Sequence, residues 1–198
     1  MLLAALAAAL AVASLSAVAT GSGRTYLATC ADSVYQAAPG YPPSTRAALH
    51  LGPVAFNLLA PVGKNYNPPT KTFRFYQVVT YFNVHPSAAS GATVTVSSRS
   101  LGIALVYGNR VTKPPAFWRQ LHATHATLAG GPRSVRFPVC RDPTTGKPLI
   151  TQYGLSIFLP RPGCFTVQVQ PLGTKRRYRA TVRFLVPRCA AGRASSST

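Results

Sequence analysis

Short apolar runs separated by turn signals dominate the chain from residue 47 onward. Pro53 to Leu59 is a candidate strand, and Asn65-Tyr66-Asn67-Pro68-Pro69 reads as a loop. Phe73 to Val84 carries aromatic and β-branched residues on both faces, which predicts a long central strand. Pro86 to Gly91 is a turn, and Thr93 to Ser97 then alternates with Val94 and Val96 on one side. Leu101 to Tyr107 follows and ends at Gly108-Asn109. Val135, Phe137 and Val139 alternate before Cys140, and Asp142 to Gly146 turns the chain. Ile150 to Leu159 is a further strand, turned by Pro160-Arg161-Pro162-Gly163. Phe165, Val167 and Val169 alternate against Thr166, Gln168 and Gln170. In the last strand Tyr178, Ala180, Val182, Phe184 and Val186 share one face.

About eight short strands at this spacing predict an all-β fold, a single antiparallel β-sandwich. Apolar-in, polar-out alternation is what antiparallel sheets show when one face meets solvent. One segment breaks the pattern. Phe117, Leu121 and Leu128 recur at near-helical spacing, and Gly130-Gly131 would stop a helix. This predicts one short helix or a long loop over residues 114–129.

Residues 1–19 carry no charged side chain and end in Ala17-Val18-Ala19, the small-x-small pattern of a signal-peptidase site. They predict a secretion signal, with an uncleaved apolar anchor as the alternative. Residues 20–46 read as an irregular amino-terminal segment, 47–189 as the sandwich domain and 190–198 as a disordered tail. Without the signal, 179 of the 198 residues remain. That length suits one domain able to bury about 70% of its unfolded surface.

The charge balance narrows the chemistry. Lysine and arginine number 21 and acids number 2, for a net charge of +19. Glutamate is absent, and Asp32 and Asp142 each follow a cysteine by two residues, which suggests turns beside crosslinks. Two such carboxylates exclude most two-carboxylate hydrolysis and hard-cation cages. No Gly-x-Ser-x-Gly elbow is present. His122 and His125 stand at i, i+3, a spacing that can hold a metal, but too few further ligands accompany them. The expectation is no catalytic residue, no metal and no cofactor; a metal-dependent or hydrolytic exported enzyme is the remote alternative. Trp118 with Tyr66, Tyr76 and Tyr81 could line a sugar-binding surface, but aromatics in a sandwich are more often core.

The positive signal is Lys175, Arg176, Arg177, Arg179 and Arg183 on the last strand. Arg177, Arg179 and Arg183 share the face opposite Tyr178, Val182 and Phe184, with Arg133, Arg136 and Lys147 as extensions if the sheet order brings them near. Such a stripe attracts phosphate-bearing polymers and anionic lipid headgroups, without specific nucleic-acid recognition. Arginine outnumbers lysine as a GC-rich genome would dictate, and charge on an edge strand also blocks aggregation. The expectation is therefore an exported non-catalytic binding or structural module of the cell envelope. Polyanion or anionic-membrane binding through residues 175–183 is the more specific alternative.

Val135 to Cys140, Thr151-Gln152-Tyr153-Gly154, Arg161 to Val169 and Arg183-Phe184 through Cys189 form a recurring pattern. A strand, a cysteine, a Pro-Gly turn and a second cysteine follow in order. In these the second half of the chain resembles a broad group of uncharacterised exported proteins of high-GC Gram-positive bacteria. The resemblance implies a small disulfide-bonded β-sandwich outside the cytoplasm and transfers no activity.

Cys30, Cys140, Cys164 and Cys189 suffice for two disulfides with three possible connectivities. Cys140 and Cys164 flank the Ile150 strand, so the expected pairs are Cys140–Cys164, pinning two strands, and Cys30–Cys189.

Overall fold

The computed structural model describes residues 25–37, 49–57, 66–71, 73–98, 101–107, 121, 127–129 and 131–189. Within them the chain forms two β-sheets packed face to face. One sheet contains β1 (Thr25–Leu27), β9 (Ser134–Phe137), β7 (Ala92–Ser97), β11 (Gly163–Pro171) and β12 (Tyr178–Phe184), in that spatial order. The other runs β2 (Ser33–Ala37), β10 (Ile150–Leu159), β6 (Tyr76–Val84), β4 (Val54–Phe56) and β3 (Leu49–Leu51). To that second sheet β5 (Tyr66–Asn67) adds beside β6, and β8 (Ala104–Tyr107) adds beside β10. The all-β sandwich expected from the alternation is the observed fold.

The two inner faces meet in one apolar core. Val94 and Val96 of β7, Val167 and Val169 of β11, and Phe82 and Val84 of β6 are fully buried in it. At its centre Phe82 and Phe137 bridge the two sheets edge to face, with ring centroids 4.6 Å apart, and Tyr153 lies 4.9 Å from Phe137. Each such side chain contributes about 1.5–3 kcal/mol by leaving water. Tyr153 is buried as a phenol because its hydroxyl donates to the Pro138 carbonyl at 2.8 Å. At one end Tyr66, Tyr76 and Phe184 pack ring against ring. Tyr66 and Tyr76 are therefore half-buried against the core.

A second apolar cluster sits on the outside of the seven-stranded sheet. Phe158 and Ala104 point outward from β10 and β8, opposite in parity to Ile157 and Leu105. Phe75, Leu121 and Leu128 cover them, with Phe73 alongside. Most of 114–129 lies outside the described residues, so the expected helix does too. Leu121 and Leu128, which are described, are both buried in this cluster.

Two expectations are corrected. Residues 20–46 are not wholly irregular, because β1 and β2 join one sheet each. Both are edge strands with exposed side chains in an uneven pattern, so partner backbone holds them and no alternation announces them. β1 runs parallel to β9 in an otherwise antiparallel sheet.

The disulfides are Cys30–Cys140 and Cys164–Cys189, not the expected pairs. In the five-stranded sheet β7 separates β9 from β11, so Cys140 and Cys164 are not neighbours. Parallel pairing of Leu27 with Arg136 sends both chains out of the same end, where Cys30 meets Cys140. Cys164 lies opposite Arg183 on β12. Just past β12, Leu185 takes a left-handed turn with φ 53°, and Cys189 returns to Cys164. Two disulfides indicate an oxidising, extracytoplasmic setting. Among the described residues no helix is long and apolar enough to cross a membrane.

Candidate functional site

β12 is an edge strand, paired on one side to β11 and, among the described residues, unpaired on the other. Tyr178, Ala180, Val182 and Phe184 turn inward, while Arg179, Thr181 and Arg183 are exposed on the outer face. Arg179 and Arg183 thus have the predicted facing, whereas Arg177 precedes the strand. Lys175, Arg176 and Arg177 stand on the exposed connection from β11. Arg179 is steadied by its Nε donating to the Gln168 Oε1 at 2.8 Å, and Arg183 by its Nη1 donating to the Pro187 carbonyl at 3.0 Å. Both guanidinium groups keep most of their five donors for a ligand.

At the β11–β12 turn an open cavity of about 390 Å³ is lined by Gly52, Pro53, Ser87, Pro171, Thr174, Arg176 and Tyr178. The Arg176 guanidinium sits 4.9 Å from the centre of the Tyr178 ring, a cation–π contact that fixes its direction. Tyr178 in turn packs on the backbone of Gly52, whose φ of +61° and missing side chain make room for the ring. Ser87, Thr174 and Arg176 therefore line one space. The Thr174 hydroxyl donates to the Pro171 carbonyl at 3.1 Å and the Ser87 hydroxyl lies 3.0 Å from the His85 Nδ1, so the Arg176 guanidinium is the donor that suits a phosphate or carboxylate oxygen.

The two carboxylates are occupied elsewhere. Asp32 is buried, and its Oδ2 accepts from the Thr29 amide at 2.7 Å and the Thr29 hydroxyl at 2.9 Å. The Asp142 Oδ1 accepts from the amides of Thr145 at 2.7 Å and Thr144 at 2.9 Å. Those backbone donors, Thr145 first, hold its carboxyl below the ordinary range. Asp32 follows β1 and Asp142 follows β9, while β12 is the opposite edge. Three strand spacings separate β9 from β12, about 14 Å of sheet. That exceeds the Debye length of about 8–10 Å at physiological salt. In water a pair at that distance is worth about 0.3 kcal/mol before screening, so neither acid neutralises the stripe.

Sheet order also settles the extensions. Arg136 shares the outer face but lies on β9, in a register row with Thr93 and Gln170. Arg133 and Lys147 flank the same β9 region. All three are set apart from β12 by β7 and β11, whose outward side chains are threonine, serine, glutamine and the disulfide-bonded Cys164.

The histidines do not assemble among the described residues. His50 lies exposed on β3, and the His85 Nδ1 accepts from the Ser87 amide at 3.2 Å. His122, His125 and Trp118 lie outside the described residues, as do 1–24 and 190–198. Residues that sequence reasoning missed at the cavity are Gly52, Ser87 and Thr174. Their only signal is turn chemistry, because three separate turns bring them together. No family model matches the chain, and no curated protein and no solved structure matches it significantly.

Proposed function

We propose that this chain is an exported, non-catalytic binding module of the cell envelope, holding phosphate-bearing polymers along β12. Residues 1–19 act as its secretion signal in this reading. The observation that carries it is the segregation of charge. Lys175, Arg176, Arg177, Arg179 and Arg183 line one sheet edge, and both acids are bound into turns at the other. A flexible chain of phosphates can follow the strand, and Arg176 at the cavity provides a terminal subsite.

A polymer suits the surface better than a bilayer does. Leu185 is the large apolar side chain exposed beside the stripe among the described residues, and a membrane-bound surface needs more apolar area to insert. The test is titration with a soluble poly(glycerol phosphate). Arg177→Glu with Arg179→Glu should weaken binding by at least about tenfold, the effect of about 1.4 kcal/mol. Arg136→Glu, on β9 three strand spacings from β12, should leave it nearly unchanged. Equal loss in both variants would show that net charge, not the stripe, does the binding.

A further inference from the structure

The outer face of the seven-stranded sheet has a chemistry unlike that of the basic edge. One register row crosses it as Tyr35, Gln152, Asn83, Ala55 and His50. The next row holds Gly154 and Tyr81, and the one after it Ser156 and Val79. Among the described residues, no outward position of this sheet is lysine, arginine, aspartate or glutamate. In a chain with 21 basic residues, such a face excludes charge by arrangement.

One end of the face is closed by the Phe158 cluster. The other end is open. Tyr81 leans over Gly154, with ring carbons 3.7 and 3.9 Å from where a β-carbon would stand, and 40% of its surface remains exposed. Tyr35 is 52% exposed on the far side of β10. Two strand spacings and two residues separate the tyrosines, about 12 Å. Between them Gln152 donates to the Asn83 Oδ1 at 3.1 Å, and Asn83 donates to the Asn57 Oδ1 at 3.5 Å. These contacts fix the amide orientations before any ligand arrives.

We infer that this open face binds a neutral polysaccharide. A pyranose ring has an apolar C–H face, which stacks on an exposed aromatic ring, and a rim of hydroxyls that both donate and accept. The half-buried Gln152 carboxamide answers such hydroxyls with both functions, while the buried Asn83 holds it in place. The tyrosine spacing matches a short stretch of chain better than a single sugar, and the lack of charge at the described outward positions selects against anionic polymers. Preset side chains reduce the ordering cost of binding.

Native electrophoresis of the intact protein through gels containing a soluble neutral β-glucan, a mannan or an arabinogalactan tests this. At least one polymer should retard migration, equally at low salt and in 0.5 M sodium chloride. Tyr81→Ala and Tyr35→Ala should each weaken retardation by about tenfold, while Tyr81→Phe keeps it. Arg177→Glu with Arg179→Glu should not affect it, which separates this site from the basic strand. No retardation by any of the three polymers would overturn the inference. So would retardation that survives both alanine variants, or that fades with salt.

Discussion

Removing the two disulfides separately should cost different amounts, in an order set by topology. Cys30–Cys140 closes a loop of 110 residues, and Cys164–Cys189 closes one of 25. In the chain-entropy treatment these constrain the unfolded state by about 4.8 and about 3.5 kcal/mol. Cys140 is 1% exposed, so Cys140→Ala also leaves a small cavity and widens the gap. Cys30→Ala with Cys140→Ala should therefore lower unfolding free energy by about 5 kcal/mol, and Cys164→Ala with Cys189→Ala by about 3.5 kcal/mol. For a domain of this size that is a fall of about 10–20 °C in melting temperature for the first and about 7–14 °C for the second. Urea titration followed by intrinsic fluorescence measures both, and the steepness should rise as the unfolded chain expands. An inverted order, or a long-loop loss near zero, would refute the assignment of that crosslink to unfolded-state constraint. Non-reducing peptide maps joining Cys140 to Cys164 would refute the pairing itself.

Other consequences are local. Gly91 has φ +119°, and a β-carbon there would strike the Phe137 carbonyl. Gly91→Ala should destabilise by about 2 kcal/mol or more in the same urea assay. Burial first, then the Asp32 charge, pushes the Tyr153 phenol far above its ordinary 10.0. A raised folded value means stability is fully present below about pH 10 and drains away as pH rises toward the folded value. Tyr153→Phe should lose this alkaline limb in melts from pH 8 to 11. The lowered Asp142 carboxyl works in the opposite direction. Its contribution is present above the ordinary carboxylate range and lost as pH falls through the folded value. Urea midpoints of Asp142→Asn should change less between pH 6 and 3 than those of the unaltered protein.

Long strands announce themselves, and short edge strands do not. β10 was expected over Ile150 to Leu159 and spans those residues, because burial enforces its pattern across ten positions. β6 and β11 likewise fall inside or around their expected runs. β1, β2, β3 and β5 are two to five residues long, too short for a period-two pattern to rise above chance. β5 was read as a loop because Pro68-Pro69 follows it. The disulfide pairing failed for a related reason. It depends on strand order, which alternation does not encode, and here on the parallel β1–β9 pair that the composition of 20–46 concealed.

Arg179 and Arg183 were legible because facing on β12 follows directly from alternation, whereas Arg177 was read as part of the strand and precedes it. The cavity beside it was not, since its walls come from three turns distant in sequence. The tyrosine–amide face was also hidden. Tyr66, Tyr76 and Tyr81 look alike in sequence, yet parity sends Tyr76 into the core and Tyr81 outward. Tyr35 joins Tyr81 only through β2, a strand with no signature of its own. A single sandwich thereby carries two unlike outer surfaces: a cationic edge on one sheet and an uncharged aromatic–amide face on the other.

Whether β12 and its turn bind polyanions as a unit is read from the salt dependence of poly(glycerol phosphate) affinity. If the five cations engage phosphates together, log Kd should rise with log salt at a slope of about 3.5, by analogy with single-stranded nucleic acid. Replacing Lys175, Arg177, Arg179 and Arg183 by alanine should reduce that slope to about 0.7, with the fold intact by circular dichroism. A slope that stays near its original value in this variant would contradict the claim, because the charge doing the work would then lie elsewhere.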